Sequence, residues 1–148
     1  MDTTATADRI HVVCPHCDKI NRVDSERSRD AVCGGCGNAL FSTHPVALRS
    51  ASLEHQIARS DVPVVVDFWA SWCGPCRVMA QVFEQAAHDL EPGLRFIKIN
   101  TDEETDAARR HRIRAIPTFA IFKNGAETAR VSGAMDARAF TAWVRANS

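Results

Sequence analysis

Six cysteines, arranged as three Cys-x-x-Cys pairs, constrain this chain more than any other feature of its sequence. The pairs are Cys14/Cys17, Cys33/Cys36 and Cys73/Cys76. The first two lie in a segment of scattered apolar positions without a sustained helical period, and such a short segment rarely buries enough apolar surface to fold alone. We therefore expect residues 1–45 to form a small module that its cysteines hold together, and residues 46–148 to form an ordinary domain.

Charge and hydropathy exclude several classes of function. The 148 residues include 18 Lys+Arg and 18 Asp+Glu, so the net charge is zero. A dedicated nucleic-acid-binding protein usually carries a clustered basic excess, so we expect no nucleic-acid partner. The longest apolar stretch, residues 62–66, is far shorter than the roughly 20 residues of a membrane-spanning helix, so we expect no membrane association. Residues 1–13 contain acidic side chains and lack the apolar core of a signal peptide, which predicts a cytoplasmic protein.

The first two pairs have the spacing of a four-cysteine zinc site. Two residues between cysteines let both sulfurs face one tetrahedral ion from a tight turn, whose backbone N–H groups can donate to the thiolates. The predicted ligands are Cys14, Cys17, Cys33 and Cys36. Asp18 and Gly37, which follow the two pairs, can both adopt left-handed backbone. Such a closed site predicts a structural rather than a hydrolytic zinc. Two surface disulfides, an iron centre of rubredoxin type and His16 as a replacement ligand are the alternatives.

The rest of the chain has the periodicity of an α/β domain. The predicted elements are a helix over 52–59 with Ser52 as its N-cap, a buried strand over 62–69, a helix from Cys73 to Pro92-Gly93, a strand over 94–100, a helix over about 103–111, a hairpin over 118–132 that turns at Asn124-Gly125, and a closing helix from near Asp136 that buries Phe140, Trp143 and Val144. This order predicts a central sheet with a parallel part and an antiparallel hairpin, flanked by helices.

The third cysteine pair falls where the first buried strand gives way to a helix. Cys73 lies at the helix N-terminus, where unpaired N–H groups and the positive end of the dipole favour the nucleophilic thiolate. Pro75 is tolerated there because the first turn needs no amide donor at that position. Cys76 lies on the same face and should be the more buried of the two. The pattern predicts that Cys73 attacks a substrate disulfide and that Cys76 resolves the mixed disulfide.

Asp67 interrupts the apolar strand beneath this pair. A buried carboxylate is costly unless it is paired or protonated, so its presence needs an explanation. We interpret Asp67 as a proton acceptor for Cys76, with a pKa raised toward the working pH by desolvation. The alternative is an ion pair with Lys98 on the adjacent predicted strand, and the two roles are compatible.

These motifs resemble the thioredoxin family over residues 52–147. The matching motifs are Trp69, Trp72-Cys73-Gly74-Pro75-Cys76, Ile116-Pro117-Thr118, Lys123-Asn124-Gly125 and Gly133. The four-cysteine segment resembles a zinc ribbon, and with it the whole chain is similar to the zinc-containing second thioredoxins of bacteria. The resemblance implies a thioredoxin fold and a protein-disulfide reductase that acts on disulfide-containing proteins. It further implies re-reduction by a flavin-dependent thioredoxin reductase that uses NADPH, a structural zinc ion, no organic cofactor and a monomeric protein.

The resemblance also implies a substrate-binding surface beside the cysteines. Its residues are Trp72, Gly74, Pro75, Ile116, Pro117 and Gly133, with a cis bond between Ile116 and Pro117. On the sequence alone, a trans proline that opens a strand is the simpler interpretation. Two positions depart from the family pattern, because Gln81 replaces a proline that usually kinks the helix and Ala115 replaces a Gly or Ser.

Two other functions compete with a reductase. A zinc-ribbon adaptor on an inert scaffold would need neither the Cys73/Cys76 pair nor Asp67. A disulfide oxidase or isomerase would favour an oxidising compartment and a signal peptide. The sequence therefore favours the reductase, and we expect its domain to exchange disulfides without help from the zinc module. That module is expected to be structural or redox-responsive, because oxidation of its four thiolates would release the ion and alter conformation or partner choice.

Overall fold

Two β-sheets organise residues 8–148, the part of the chain that the computed structural model describes. Residues 1–7 lie outside the described residues. They include the predicted start of the module and about half of the segment that lacks a signal-peptide pattern. Strands β1 (Arg9–Val13) and β2 (Ile20–Asp24) form an antiparallel hairpin, and a 3-10 helix follows over Ser25–Asp30. Val12 of β1 is buried in one cluster with Leu40, Phe41 and two of the cysteines, Cys14 and Cys33.

The second sheet has five strands in the order β3-β5-β4-β6-β7. Its strands are β3 (Val46–Ala47), β4 (Val64–Trp69), β5 (Arg95–Asn100), β6 (Thr118–Lys123) and β7 (Ala126–Ser132). The first three strands of this order are parallel, whereas β6 and β7 are antiparallel to their neighbours. The structure thus confirms a mixed sheet with a hairpin at one edge, and β4 lies at its centre because it is apolar on both faces.

Four helices cover the two faces of this sheet. They are α1 (Ser50–Arg59), α2 (Gly74–Leu90), α3 (Thr105–Arg110) and α4 (Ala137–Asn147). Helices α2 and α4 bury Phe83 and Phe140 on one face against Val65, and α1 and α3 bury Leu53 and Ala107 on the other. Successive residues of β4 point to opposite faces, so this one strand contributes to both cores. No helix within residues 8–148 is long and apolar enough to cross a membrane.

Several predicted boundaries were wrong because tertiary partners set the ends of the elements. Helix α1 begins at Ser50, whose N–H donates to the Glu104 carboxylate at 2.7 Å. Ser52 is therefore not the N-cap, and its hydroxyl donates to Asp18 at 3.0 Å. Strand β3 was not predicted, since its two residues gain their conformation from pairing with β5. Trp143 is only partly buried in the helical core.

Candidate redox and metal sites

The Cys73/Cys76 pair lies at the junction between β4 and α2, with its two sulfurs joined as a disulfide. Cys73 is the N-cap of α2, and its Sγ accepts a hydrogen bond from the Cys76 backbone N–H at 3.2 Å. Pro75 occupies the first turn of the helix. Cys73 is 5% exposed and Cys76 is 2% exposed, which is the order that the sequence predicted. An amide donor that faces Cys73 Sγ stabilises a thiolate at this position.

A loop from the other half of the domain meets this pair. The Ile116–Pro117 bond is cis, as the family resemblance implied, and the Ile116 carbonyl oxygen lies 3.7 Å from Cys73 Sγ. Gly133 has a φ of +99° and donates its N–H to the Pro117 carbonyl at 2.9 Å. The structure thus brings Ile116 to the predicted nucleophile and links Pro117 to Gly133, although these segments are distant in the sequence.

Trp72 and Gly74 border the pair on its solvent side. Trp72 is 68% exposed, and its indole N–H donates to the Asp102 carboxylate at 2.9 Å. A side chain built at Gly74 would meet nothing within 4 Å, so the surface is open there. Helix α2 runs without interruption through Gln81, whose side chain is exposed. An exposed, hydrogen-bonded indole beside an open glycine offers a flat apolar surface to a polypeptide.

Asp67 lies in the middle of β4 and is 1% exposed. Burial raises the pKa of its carboxyl to about 7, and the positive charge of Lys98 opposes this effect. Within the described residues the two side chains form no direct ion pair, and Asp67 Oδ1 has no hydrogen-bond partner. The Lys98 ammonium lies instead over the Trp69 ring, 4.7 Å from its centre. Lys98 therefore acts on Asp67 through its charge and not through a direct ion pair.

The four remaining cysteines converge on one point. The sulfurs of Cys14, Cys17, Cys33 and Cys36 all lie within 4.8 Å of one another. The Cys14–Cys36 and Cys17–Cys33 sulfurs are 3.6 and 3.5 Å apart. A tetrahedral ion with Zn–S bonds of about 2.3 Å would separate its sulfurs by about 3.8 Å, so the cluster fits zinc. His16 is exposed and its side chain is not part of the cluster.

Backbone geometry and amide donors support this cluster. Asp18 and Gly37 have φ values of 65° and 78°, as expected for the residues that follow the two turns. Backbone N–H groups of His16 and Gly35 donate to Cys14 and Cys33. Hydrogen bonds from the Cys36 backbone and the Asn21 side chain lower the pKa of Cys33 to about 6, whereas burial raises the pKa of Cys14 to about 12.

Two polar side chains that no sequence pattern predicted lie beneath the zinc-binding segment. Arg95 is 1% exposed, and its guanidinium donates to the carbonyls of Leu40 at 2.7 Å and Val13 at 3.2 Å. Gln56, fully buried on α1, also donates to Val13, at 3.0 Å. Burial lowers the pKa of Arg95 to about 10, although the charges of Glu91 and Cys14 oppose this. An arginine that opens an otherwise buried strand was the signal that could have identified this contact.

Glu91 completes the polar contact between the two parts. It is 2% exposed, and its carboxylate accepts hydrogen bonds from the N–H groups of Thr43 and Phe96, both at 3.1 Å. Burial raises the pKa of Glu91 to about 7, whereas these hydrogen bonds and the charge of Arg95 lower it. Thr43 belongs to the connection between the cysteine segment and the central sheet, so Glu91 holds that connection on the domain.

Both the thioredoxin-like part and the cysteine segment of the chain match family models of known proteins. Residues 44–146 match the thioredoxin family model, and residues 13–38 match the zinc-ribbon model described as "Thioredoxin 2, N-terminal". Thioredoxin C-3 of Corynebacterium nephridii is 36% identical over 134 residues, which cover 90% of this chain and 92% of that protein. Thioredoxin of Pseudomonas aeruginosa is 39% identical over 107 residues, which cover 72% of this chain and 99% of that protein.

A solved structure agrees with these relatives. The crystal structure of the Malassezia sympodialis thioredoxin Mala s 13 superposes with a TM-score of 0.63 at 36% identity, and it covers 70% of this chain and 90% of that one. The chain therefore belongs to the thioredoxin family of protein-disulfide oxidoreductases, with an N-terminal segment of the zinc-ribbon type found in thioredoxin 2.

Proposed function

We propose that this protein reduces disulfides in other proteins and is itself re-reduced by a thioredoxin reductase. One observation carries the proposal: Cys73 caps a helix N-terminus, receives an amide hydrogen bond and already pairs with Cys76. A helix N-terminus and a donated hydrogen bond both stabilise a thiolate, which is the nucleophile in disulfide exchange. Their combination in one dithiol pair supports a redox role rather than a structural disulfide.

The proposed reaction has two exchange steps. In the reduced protein, the Cys73 thiolate attacks one sulfur of the substrate disulfide, a mixed disulfide forms, and the second substrate sulfur leaves as a thiolate. Cys76 then loses its proton and attacks Cys73 Sγ, which forms the Cys73–Cys76 disulfide and releases the first substrate sulfur. The substrate gains two electrons and the Cys73/Cys76 pair loses them; the proton of Cys76 passes to its acceptor, and the released substrate thiolates take up protons from solvent. A flavin-dependent reductase that uses NADPH returns two electrons to the pair.

Asp67 is the proposed proton acceptor for Cys76. A carboxyl with a pKa of about 7 exchanges protons near neutral pH, where a thiol needs help to ionise. The nearly complete burial of Asp67 and its unpartnered Oδ1 support this role, because a purely structural carboxylate would be expected to have its oxygens satisfied.

The proposed substrate surface combines an exposed aromatic ring, open backbone and a loop carbonyl. It consists of Trp72, Gly74, Pro75, Ile116, Pro117 and Gly133. Ile116 places its carbonyl oxygen 3.7 Å from Cys73 Sγ, so an extended substrate segment can lie along this loop with its cystine over the nucleophile. We propose a monomeric, cytoplasmic protein, with neither nucleic acid nor membrane among its partners.

The zinc module has a structural role in this proposal. Residues 1–45 form the module and residues 46–148 the thioredoxin domain. A bound Zn²⁺ would be held by Cys14, Cys17, Cys33 and Cys36, and it would supply folding free energy rather than reaction chemistry because four thiolates leave no open position. No step of disulfide exchange involves these residues.

An insulin-reduction assay with NADPH and a thioredoxin reductase tests the reductase function. The wild-type protein should consume NADPH in proportion to the disulfide reduced. Cys73→Ser should remove this activity, whereas Ala126→Ser, which adds the same hydroxyl to an exposed position in the hairpin, should retain it. An inactive wild-type protein with a reducible Cys73/Cys76 pair would contradict the proposal.

A further inference from the structure

Two backbone carbonyls on either side of the cysteine cluster are held by side chains of the thioredoxin domain. Val13 immediately precedes Cys14, and Leu40 follows Cys36 after a short loop. Arg95 donates to both carbonyls, at 3.2 and 2.7 Å, and thereby connects the strand that enters the first cysteine turn with the chain that leaves the second. Gln56 adds a second donor to Val13.

These donors are buried and depend on the module for their partners. Arg95 and Gln56 are 1% and 0% exposed, and within the described residues Arg95 Nε and Gln56 Oε1 have no hydrogen-bond partner. A buried polar group without a partner costs free energy, so the bonds to Val13 and Leu40 are the ones that make this burial tolerable. The Phe41 ring, 4.2 Å below the guanidinium, adds a favourable cation–π contact.

Charge favours the same arrangement. A Zn²⁺ ion held by four thiolates would form a site with a net negative charge. The buried Arg95 guanidinium is hydrogen-bonded to the carbonyl of Val13, the residue that precedes the ligand Cys14. Glu91 is the other charged side chain that acts on Arg95, and its carboxylate is already engaged by the N–H groups of Thr43 and Phe96. Arg95 therefore faces two negative groups, Glu91 and the cysteine cluster, and offsets part of the charge of the loaded zinc site as well as that of Glu91.

We propose that Arg95 and Gln56 are positioning residues for the metal site, through which the thioredoxin domain holds the two cysteine turns in the geometry that zinc requires. The inference rests on the proposed zinc binding and adds to it that the metal site is completed by the domain to which it is docked. Coupling is reciprocal, so zinc binding must stabilise the thioredoxin domain by the same free energy with which the domain favours zinc.

The zinc affinity of the full-length protein tests this inference through competition with a chromophoric chelator. Arg95→Met removes the charge and both hydrogen bonds at similar side-chain length, and it should weaken zinc binding by about 10- to 100-fold, the usual effect of losing an outer-shell partner. Arg95→Lys keeps the charge but not the guanidinium that donates to two carbonyls at once, so its zinc affinity should lie between those of the wild type and Arg95→Met. Gln56→Met should have a smaller effect, since Val13 keeps its bond from Arg95.

Arg138→Met is the matched control, because Arg138 is exposed on α4 and its substitution should leave zinc affinity unchanged. All three tryptophans, Trp69, Trp72 and Trp143, lie in the thioredoxin domain, so their fluorescence follows its thermal unfolding separately from the module. Zinc should raise that melting temperature in the wild type and in Arg138→Met, and raise it less in Arg95→Met.

The possible outcomes separate this inference from the zinc proposal. A wild-type protein that binds no zinc would overturn both. A wild-type protein that binds zinc, with an equal affinity in Arg95→Met, would overturn this inference alone. If Arg95→Met does not fold, Arg95→Lys and Gln56→Met decide the question, and wild-type affinity in both would overturn the inference.

Discussion

Asp67 and Cys76 are two groups of the redox site that are nearly inaccessible to solvent, with 1% and 2% of their surfaces exposed. Burial raises the pKa of Asp67 from an ordinary value of 3.8 to about 7, against the opposing charge of Lys98. Near neutral pH the side chain therefore exists as both carboxylic acid and carboxylate, which suits a proton acceptor. The same burial makes the ionised form of Asp67 unfavourable in the folded protein. As the pH rises through this range, we therefore expect the rate of proton acceptance to increase and the free energy of unfolding to decrease.

Asp67→Asn should slow the attack of Cys76 on the mixed disulfide. We expect a loss of about 100-fold near neutral pH, at the low end for general-base catalysis, because a thiol ionises more readily than most other groups that need a base. The wild-type rate should rise with pH through about 7 as Asp67 ionises, and this rise should be absent in the variant. Single-turnover kinetics between about pH 6 and 8 measure both effects. An unchanged rate and profile would leave Asp67 without a role in proton transfer.

The same substitution should stabilise the protein. Since the pKa of Asp67 is higher in the folded than in the unfolded state, the folded protein binds more protons between the two values, and stability is lost as the pH rises from about 4 to about 7. Asp67→Asn removes this loss, so its free energy of unfolding should exceed the wild-type value above pH 7 by at most about 4 kcal/mol. The difference should vanish near pH 4. Denaturant titrations at the two pH values check this, with the exposed Asp106→Asn as control.

The two cysteines should differ in their substitution behaviour. Cys76→Ser retains the nucleophile Cys73 and should attack a substrate disulfide once, but the mixed disulfide should then accumulate because no resolving thiol remains. Cys73→Ser should form no such species with substrate. Mass spectrometry of the trapped complexes distinguishes the two variants. Normal turnover by Cys76→Ser would mean that the assigned roles are wrong.

At the scale of elements, the sequence predicted best where a long apolar run made the pattern unambiguous. The β4–α2 junction and strand β6 follow from such runs. The β6–β7 hairpin follows from its turn, where Asn124 and Gly125 have the positive φ values, 54° and 83°, that the turn requires. Strand β3 could not be predicted, because two residues carry no period and their conformation depends on β5. Strand β1 likewise lacks a clean alternation of buried and exposed positions.

The two cysteine turns should bind one zinc ion per chain. Metal analysis of protein purified without chelator should find it, and a red iron chromophore or the absence of zinc would contradict the assignment of the ligands. Removing the ion with a strong chelator should loosen the β1–β2 hairpin, since its core consists of few apolar side chains around Cys14 and Cys33. Removal of zinc should therefore increase the hydrogen-exchange rate of the β1 and β2 amides more than that of the β4 amides.

At the scale of the whole molecule, the contact between the module and the domain was beyond sequence reasoning. Arg95 reaches Val13, which lies 82 residues earlier in the chain, and Gln56 reaches the same carbonyl across 43 residues. No local pattern encodes such a contact, and the sequence offered only the oddity of a charged residue in a buried strand. The composition predicted two independent modules, whereas in the structure buried hydrogen bonds connect the two parts.

This contact changes what truncation should do. A protein that consists of residues 44–148 keeps β3 and the whole redox site, so it should fold and reduce insulin at a rate close to that of the full chain. It should be less stable, by about 1–3 kcal/mol, because Arg95 and Gln56 lose their carbonyl partners and must be hydrated at a surface shaped for the module. Starting at Ser50 instead also removes β3 and exposes the edge of β5, so that protein should be less stable still.

Circular dichroism, thermal unfolding and the insulin assay on the two truncated proteins separate stability from catalysis. Within residues 8–148, Cys73 packs with Ala70, Cys76, Trp69 and Ile116, all of which both truncated proteins retain. The loop at Ile116 approaches the pair from the opposite half of the domain. Activity should therefore persist at any temperature at which the truncated protein remains folded. If residues 44–148 were folded but inactive, the zinc module would have to take part in substrate binding or exchange, and the division between a structural module and a reactive domain would be wrong.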